Sequence, residues 1–246
     1  MAGVGDRDAG ACMREHLRDL EERNAAVLDT VADRLHDVVR GDGLVYVAGT
    51  GHSTALILEC FYRAGGLACV YPLYHPGLLP LEGPVEATLL ERSSGLAAAL
   101  LGGAEPGPGD VAFVFSNSGV NAVPVELAER LRAAGTPVCA VVSRAHMDAA
   151  PARVGRKLAD VADHVVDTRV PPGDASWAVG DDATATVPLS SLSGAYCWNV
   201  LLARLADRAL AAGTPLPLWT SGNVPGGDED NAALLARYRR RIPALV

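Results

Sequence analysis

Val111-Ala112-Phe113-Val114-Phe115 runs without interruption into Ser116-Asn117-Ser118-Gly119-Val120-Asn121. Five consecutive apolar residues, stopped by small hydroxyl and amide residues, describe a strand buried on both faces that ends at a turn. Leu44-Val45-Tyr46-Val47-Ala48 has the same design and runs into Gly49-Thr50-Gly51-His52-Ser53. Helical spacing resumes after each loop. Strand, small-residue loop and helix start together present free N–H groups and the positive end of a helix dipole to one point. Such a point suits an oxyanion, most often a phosphate.

Working outward from these two stretches, β and α alternate. Strands are predicted at 44–48, 67–71, 111–115, 137–142 and 164–167, with helices over 53–64, 85–101 and 120–134 and a short one near Lys157. Nearly all-apolar strands separated by helices specify a parallel sheet covered on both faces, with ligands bound outside the carboxyl ends of the strands. Ahead of the sheet, residues 8–40 carry Leu17, Leu20, Val27, Leu28, Val31, Leu35, Val38 and Val39 at helical spacing, and Gly41-Asp42-Gly43 stops that helix. After Pro171-Pro172-Gly173 the residues 177–179 read as an edge strand. A long apolar helix is expected over 190–212 and a last one over about 230–241. The chain therefore divides into an N-terminal helical extension (1–43), the sheet domain (44–213) and a C-terminal loop and helix (214–246) that pack on the domain or on a partner subunit.

Composition excludes several classes. A net charge of −8 without a basic stripe argues against a nucleic-acid partner. Five scattered cysteines form neither a zinc pattern nor a disulfide framework, so no metal and no cofactor is expected. No run approaches membrane-spanning length and no basic-then-apolar leader opens the chain, which predicts a cytoplasmic protein. Lys157 is the sole lysine, which removes lysine from most catalytic roles.

Gly49-Thr50-Gly51-His52-Ser53 and Ser116-Asn117-Ser118-Gly119-Val120-Asn121 resemble the paired loops of the SIS (sugar isomerase) domain. A stand-alone bacterial SIS family, related to phosphoheptose isomerase and N-acetylmuramic acid 6-phosphate etherase, is resembled over nearly the whole chain. Residues 59–66, 91–95, 172–175 and 221–242 carry the match. The resemblance implies a three-layer α-β-α fold on a five-stranded parallel flavodoxin-like sheet, a homodimer or higher oligomer, and a sugar-phosphate ligand. It does not fix a reaction, because SIS domains also serve as sensors.

Each motif then has a candidate role beside an ordinary structural one. Ser116, Asn117, Ser118, Gly119 and Asn121 form a phosphate cradle, or else a Ser/Asn turn with N-cap residues. Gly49 and Gly51 allow close backbone approach, while Thr50 and Ser53 add hydroxyl donors. His52 lies inside the first loop and is a candidate for ligand contact or proton transfer. Glu91 occupies the segment where the resemblance implies a catalytic glutamate, with Arg92 beside it and Glu59 as a second candidate carboxylate. His75, in Tyr74-His75-Pro76-Gly77, is a candidate acid or a surface-turn residue. Ser190, Ser191 and Ser193 begin the long helix that borders the site in SIS proteins, though capping alone would account for them.

A phosphate clamp with a nearby carboxylate suits proton abstraction from a sugar carbon next to a carbonyl. The expected activity is C2 proton abstraction from an amino-sugar 6-phosphate of the N-acetylglucosamine type, with C2–C3 elimination favoured. Aldose–ketose isomerisation and a non-catalytic phosphosugar sensor are the alternatives.

Overall fold

Five strands assemble into one parallel sheet in the computed structural model, which describes residues 8–180 and 184–246. They are β1 (Val45–Gly49), β2 (Val70–Leu73), β3 (Val111–Phe115), β4 (Val138–Val142) and β5 (His164–Asp167), ordered β2-β1-β3-β4-β5. This is the flavodoxin-like order, whose switch point falls between β1 and β3. The register aligns Val45 with Val111 and Gly49 with Phe115, so β1 and β3 end level with each other. Adjacent strands run about 5 Å apart. The two hydroxyl-rich loops therefore start side by side.

Every residue of β1, β3 and β4 is buried, as the unbroken apolar runs require. Helices α1 (Ala9–Arg40), α2 (Thr54–Cys60) and α8 (Ser190–Ala212) cover one face. Helices α3 (Pro84–Arg92), α4 (Leu96–Leu101), α5 (Ala122–Ala133) and α7 (Leu158–Val161) cover the other, and a short α6 (Arg144–Ala149) follows β4. Trp198 of α8 meets Phe113 of β3 edge-on, with ring centroids 5.3 Å apart, at the centre of this sandwich.

Helix α1 starts where the Asp8 carboxylate accepts the Ala11 N–H at 2.9 Å, a side-chain N-cap. It buries Leu20, Leu28, Val31, Leu35 and Val38 against the domain. Asn24 lies within that apolar stripe and is fully partnered. Its amide donates to the carbonyls of Leu20 and Asp167, and its oxygen accepts the Asp167 N–H at 2.8 Å. This ties α1 to the end of β5. Residues 1–7 of the N-terminal extension lie outside the described residues.

The C-terminal segment is tied down in the same way. The carbonyls of Pro217 and Trp219 accept the N–H groups of Ala68 and Gly65, and Leu67 pairs antiparallel with Leu218. Helix α9 (Gly227–Tyr238) then returns to the end of α1, where Arg237 and Arg241 both reach Asp42. One hydrophobic core runs through all three parts of the chain, from Leu20 to Ile242.

Four local expectations are corrected. The second strand begins at Val70 rather than at residue 67, because residues 65–68 spend their backbone groups on the 217–219 segment. Helix α2 stops at Cys60, since Phe61 is extended and Tyr62 takes a left-handed φ of 46°. The helix expected over 85–101 is two helices. Gly95 sits at φ 98° between them, its N–H held by Glu126 at 2.8 Å. Trp177 does not extend the parallel sheet. It belongs to a separate antiparallel hairpin of β6 (Ala175–Ala178) and β7 (Ala185–Pro188).

Candidate functional site

The first loop leaves β1 at Gly49, where only glycine fits. A Cβ there would lie 2.3 Å from the Ser53 carbonyl oxygen, because the turn formed by Gly51–Ser53 folds back on the strand end. The N–H groups of Gly51 and His52 find no acceptor among the described residues. Thr50 is 8% exposed, and its hydroxyl donates to Glu91 Oε1 at 2.6 Å. A carboxylate from the far end of α3 is thereby fixed against the first loop. Among the described residues, Glu91 Oε2 takes no hydrogen bond.

The second loop is stiffer. Ser116 is buried, and its Oγ accepts the Gly119 N–H at 3.2 Å, closing a tight turn ahead of α5. Asn117 is held from both sides: its backbone carbonyl accepts the Ser143 N–H, its Oδ1 accepts the Thr168 hydroxyl, and its amide meets His146 Nδ1. The N–H groups of Ser118 and Asn121 find no acceptor among the described residues, and the Asn121 side chain heads α5 without capping it.

Both loops border one small hollow of about 10 Å³ at the carboxyl ends of β3 and β4. Its polar wall consists of Ser53, Ser116, Asn117, Thr168 and Ser190, and its floor includes Phe115 and Val141. That is room for about one water. Among the described residues no cation lines it. Around it the two loops present hydroxyls, an amide and N–H groups at the start of α5, the donor types that suit an anion.

The hollow is closed by the first turns of α8, and Asp174 fixes where that helix begins. Its carboxylate accepts the N–H groups of Leu189 and Ser190 and, at 2.6 Å, the Ser190 hydroxyl. Behind the hollow, His16 Nε2 lies 2.8 Å from the Oγ of the buried Ser193. Burial holds the His16 pKa below its ordinary value; Asp19 opposes that shift and Arg169 adds to it.

The expected residues thus divide. Ser53, Ser116 and Asn117 line the hollow, Ser118, Gly119 and Asn121 continue its loop, and Thr50 links it to Glu91. His52 is exposed beside it, without a hydrogen-bond partner among the described residues. Glu59 is drawn elsewhere: it pairs with Arg63 and accepts from the Asn199 amide at 3.0 Å, joining α2 to α8. His75 Nδ1 accepts the Gly77 N–H at 3.1 Å and so caps its own turn. Arg92 is exposed and unpaired among the described residues. Ser191 points outward while its neighbour Ser190 takes the place expected of it. Lys157 donates to the Met147 carbonyl, well occupied outside the hollow. Thr168 and the capping role of Asp174 went unread in the sequence. Thr168 follows β5 directly, and its place at a strand's carboxyl end was the available signal.

A model of the SIS domain family matches residues 11–143, which contain both loops and Glu91. The chain belongs to the SIS domain family. UPF0309 proteins of Brucella canis and of Brucella abortus strain S19 are 37% and 36% identical to this SIS chain over 229 residues. Each alignment covers 93% of the chain and 94% of the relative. Among solved structures, the phosphoheptose isomerase of Neisseria gonorrhoeae superposes with a TM-score of 0.51 at 15% identity, over 80% of this SIS chain and 92% of that one. At that identity the likeness establishes the fold. No described helix is long and apolar enough to cross a membrane.

Proposed function

We propose that this SIS chain is a sugar-phosphate enzyme that uses Glu91 to remove the C2 proton of an amino-sugar 6-phosphate, with C2–C3 elimination following. The observation that carries the reading is the Thr50–Glu91 bond, which fixes a carboxylate with one open oxygen against the first of the two hydroxyl-lined loops. The phosphate would sit over Ser116, Asn117 and the N–H groups leading into α5. The open-chain aldehyde would extend toward the first loop. Glu91 Oε2 takes the C2 proton, and the electron pair delocalises onto O1. Free N–H groups of Gly51 and His52 meet the charge that develops there. In elimination the pair returns to form the C2–C3 double bond, and the C3 hydroxyl leaves as water with a proton from an acid. His52 is the better acid than His75, whose Nδ1 is already engaged by its own turn. Positioned general-base catalysis of this kind contributes about 10²–10⁴-fold.

Isomerisation is the second reading, favoured by the fold shared with a phosphoheptose isomerase. There the proton returns to C1 and no group departs. Purified protein incubated with N-acetylglucosamine 6-phosphate and with hexose 6-phosphates, whose C2 hydroxyl can become a ketone, in deuterated water separates the two by mass spectrometry. Elimination loses one water, whereas isomerisation conserves mass apart from incorporated deuterium. Glu91→Gln should abolish either reaction while orthophosphate still binds. Thermal stabilisation by the sugar phosphate with neither turnover nor deuterium exchange would make the chain a sensor and overturn the enzymatic reading.

A further inference from the structure

At the opposite end of the sheet from the two loops, a cleft of about 240 Å³ lies between the strand starts and the C-terminal tail. Leu44 and Asp110 stand immediately ahead of β1 and β3, and Arg240, Arg241 and Pro243 border the cleft from the tail. Pockets for drug-sized ligands run to about 300–1,000 Å³, so this one suits a compact molecule.

Tyr46 of β1 reaches this cleft from the core. It is 1% exposed, and its ring centroid lies 5.1 Å from that of Tyr71. Its hydroxyl makes no hydrogen bond among the described residues, yet it is not sealed off from the cleft that it lines. A phenol buried to this degree ordinarily has a partner. Burial pushes its pKa up; Asp110, Tyr71 and Glu105 add to that shift and Arg241 opposes it. The hydroxyl therefore keeps its proton at neutral pH and has it to donate.

The charges around the hydroxyl divide into engaged and free. Both carboxylate oxygens of Asp110 already accept backbone N–H groups, those of Leu44 at 2.7 Å and Gly107 at 2.9 Å. Arg241 shares the Asp42 carboxylate with Arg237. Arg240 and Glu105 are exposed, opposite in sign, and in no ion pair among the described residues. With two arginines against two carboxylates the lining is neutral overall, so a bare dianion gains no net attraction there. A ligand with one charge of each sign matches both free groups.

We infer that this cleft binds a small zwitterion, a free α-amino acid. Its carboxylate meets Arg240, Arg241 and the Tyr46 hydroxyl, and its ammonium meets Glu105. The site is independent of the proposed function, since none of its lining residues borders the hollow between the two loops.

Isothermal titration of the full chain with each of the standard L-amino acids tests this without reference to turnover. At least one should bind with a Kd below about 1 mM. Its N-acetyl derivative, which lacks the ammonium, should bind about tenfold more weakly. Tyr46→Phe should weaken the amino acid about tenfold with no fall in the unfolding midpoint of the ligand-free chain, because no hydrogen bond within the protein is lost. Arg240→Ala, at an exposed position, should weaken it by a similar factor. Glu105→Gln should weaken the amino acid and spare the N-acetyl derivative. If Tyr46→Phe fails to fold, these two exposed variants carry the test. Absence of binding by every amino acid overturns the inference. So does binding indifferent to Tyr46→Phe or to Arg240→Ala, or an N-acetyl derivative that binds as tightly. Loss of sugar-phosphate turnover with amino-acid binding intact would count against the catalytic reading alone.

Discussion

Replacing Gly49 by alanine tests the claim that the first loop folds back tightly on the end of β1. The new Cβ would stand 2.3 Å from the Ser53 carbonyl oxygen and 2.7 Å from its carbonyl carbon. Ordinary contact begins near 3.4 Å, so the loop must retreat by about 1.1 Å. The obstructing atoms are backbone, and no side-chain rotamer can relieve them. Overpacking of this kind costs about 1–3 kcal/mol. For a chain of this size that lowers the unfolding midpoint by roughly 2–12 °C. The retreat also pulls Ser53 off the wall of the hollow and shifts Thr50 from Glu91. A displacement near 1 Å at a reacting group costs on the order of 10²-fold in rate. Differential scanning calorimetry gives the midpoint, and isothermal titration with orthophosphate gives the affinity of the two loops. A variant with an unchanged midpoint and unchanged phosphate affinity would refute the reasoning, because the loop would then have room that the structure denies it.

Two further substitutions probe the supports behind the hollow. His16 is held below its ordinary pKa of about 6.5 chiefly by burial, so below that pH the unfolded chain takes up a proton that the folded one resists. Its stability contribution is complete above pH 6.5 and drains away as the pH falls toward the depressed folded value. His16→Gln should therefore lose less midpoint than the native chain between pH 7.5 and 5.5, and an equal loss would exclude His16 as a cause. Asp174→Ala removes the carboxylate that receives two N–H groups and the Ser190 hydroxyl at the start of α8. The loss of such a cap costs about 0.5–2 kcal/mol, readable as a lower urea midpoint, while Asp174→Asn should recover part of it.

How much of this was legible in advance differs from element to element. The runs 44–48 and 111–115 could be read as buried strands because a covered parallel sheet leaves no polar face to interrupt the pattern. The break in the helix expected over 85–101 was harder to see. A Gly after two serines is tolerated in many helices, and here the outcome turned on a Glu126 carboxylate 31 positions away that holds the Gly95 N–H. Glu59 and Glu91 looked alike as residues near small-residue loops. What separates them is long-range: Arg63 and Asn199 engage the first, and Thr50 engages the second.

Local chemistry therefore settled which segments are strands and which loops offer N–H groups and hydroxyls, since backbone preference and periodic burial act over a few residues. Strand order, and with it the meeting of two loops 67 positions apart at their first residues, needed the whole chain. So did the choice of Ser190 over Ser191 and the recruitment of Thr168. A hydrogen bond or a shared cavity between distant residues exists only once packing has fixed their distance, and no local pattern encodes that distance.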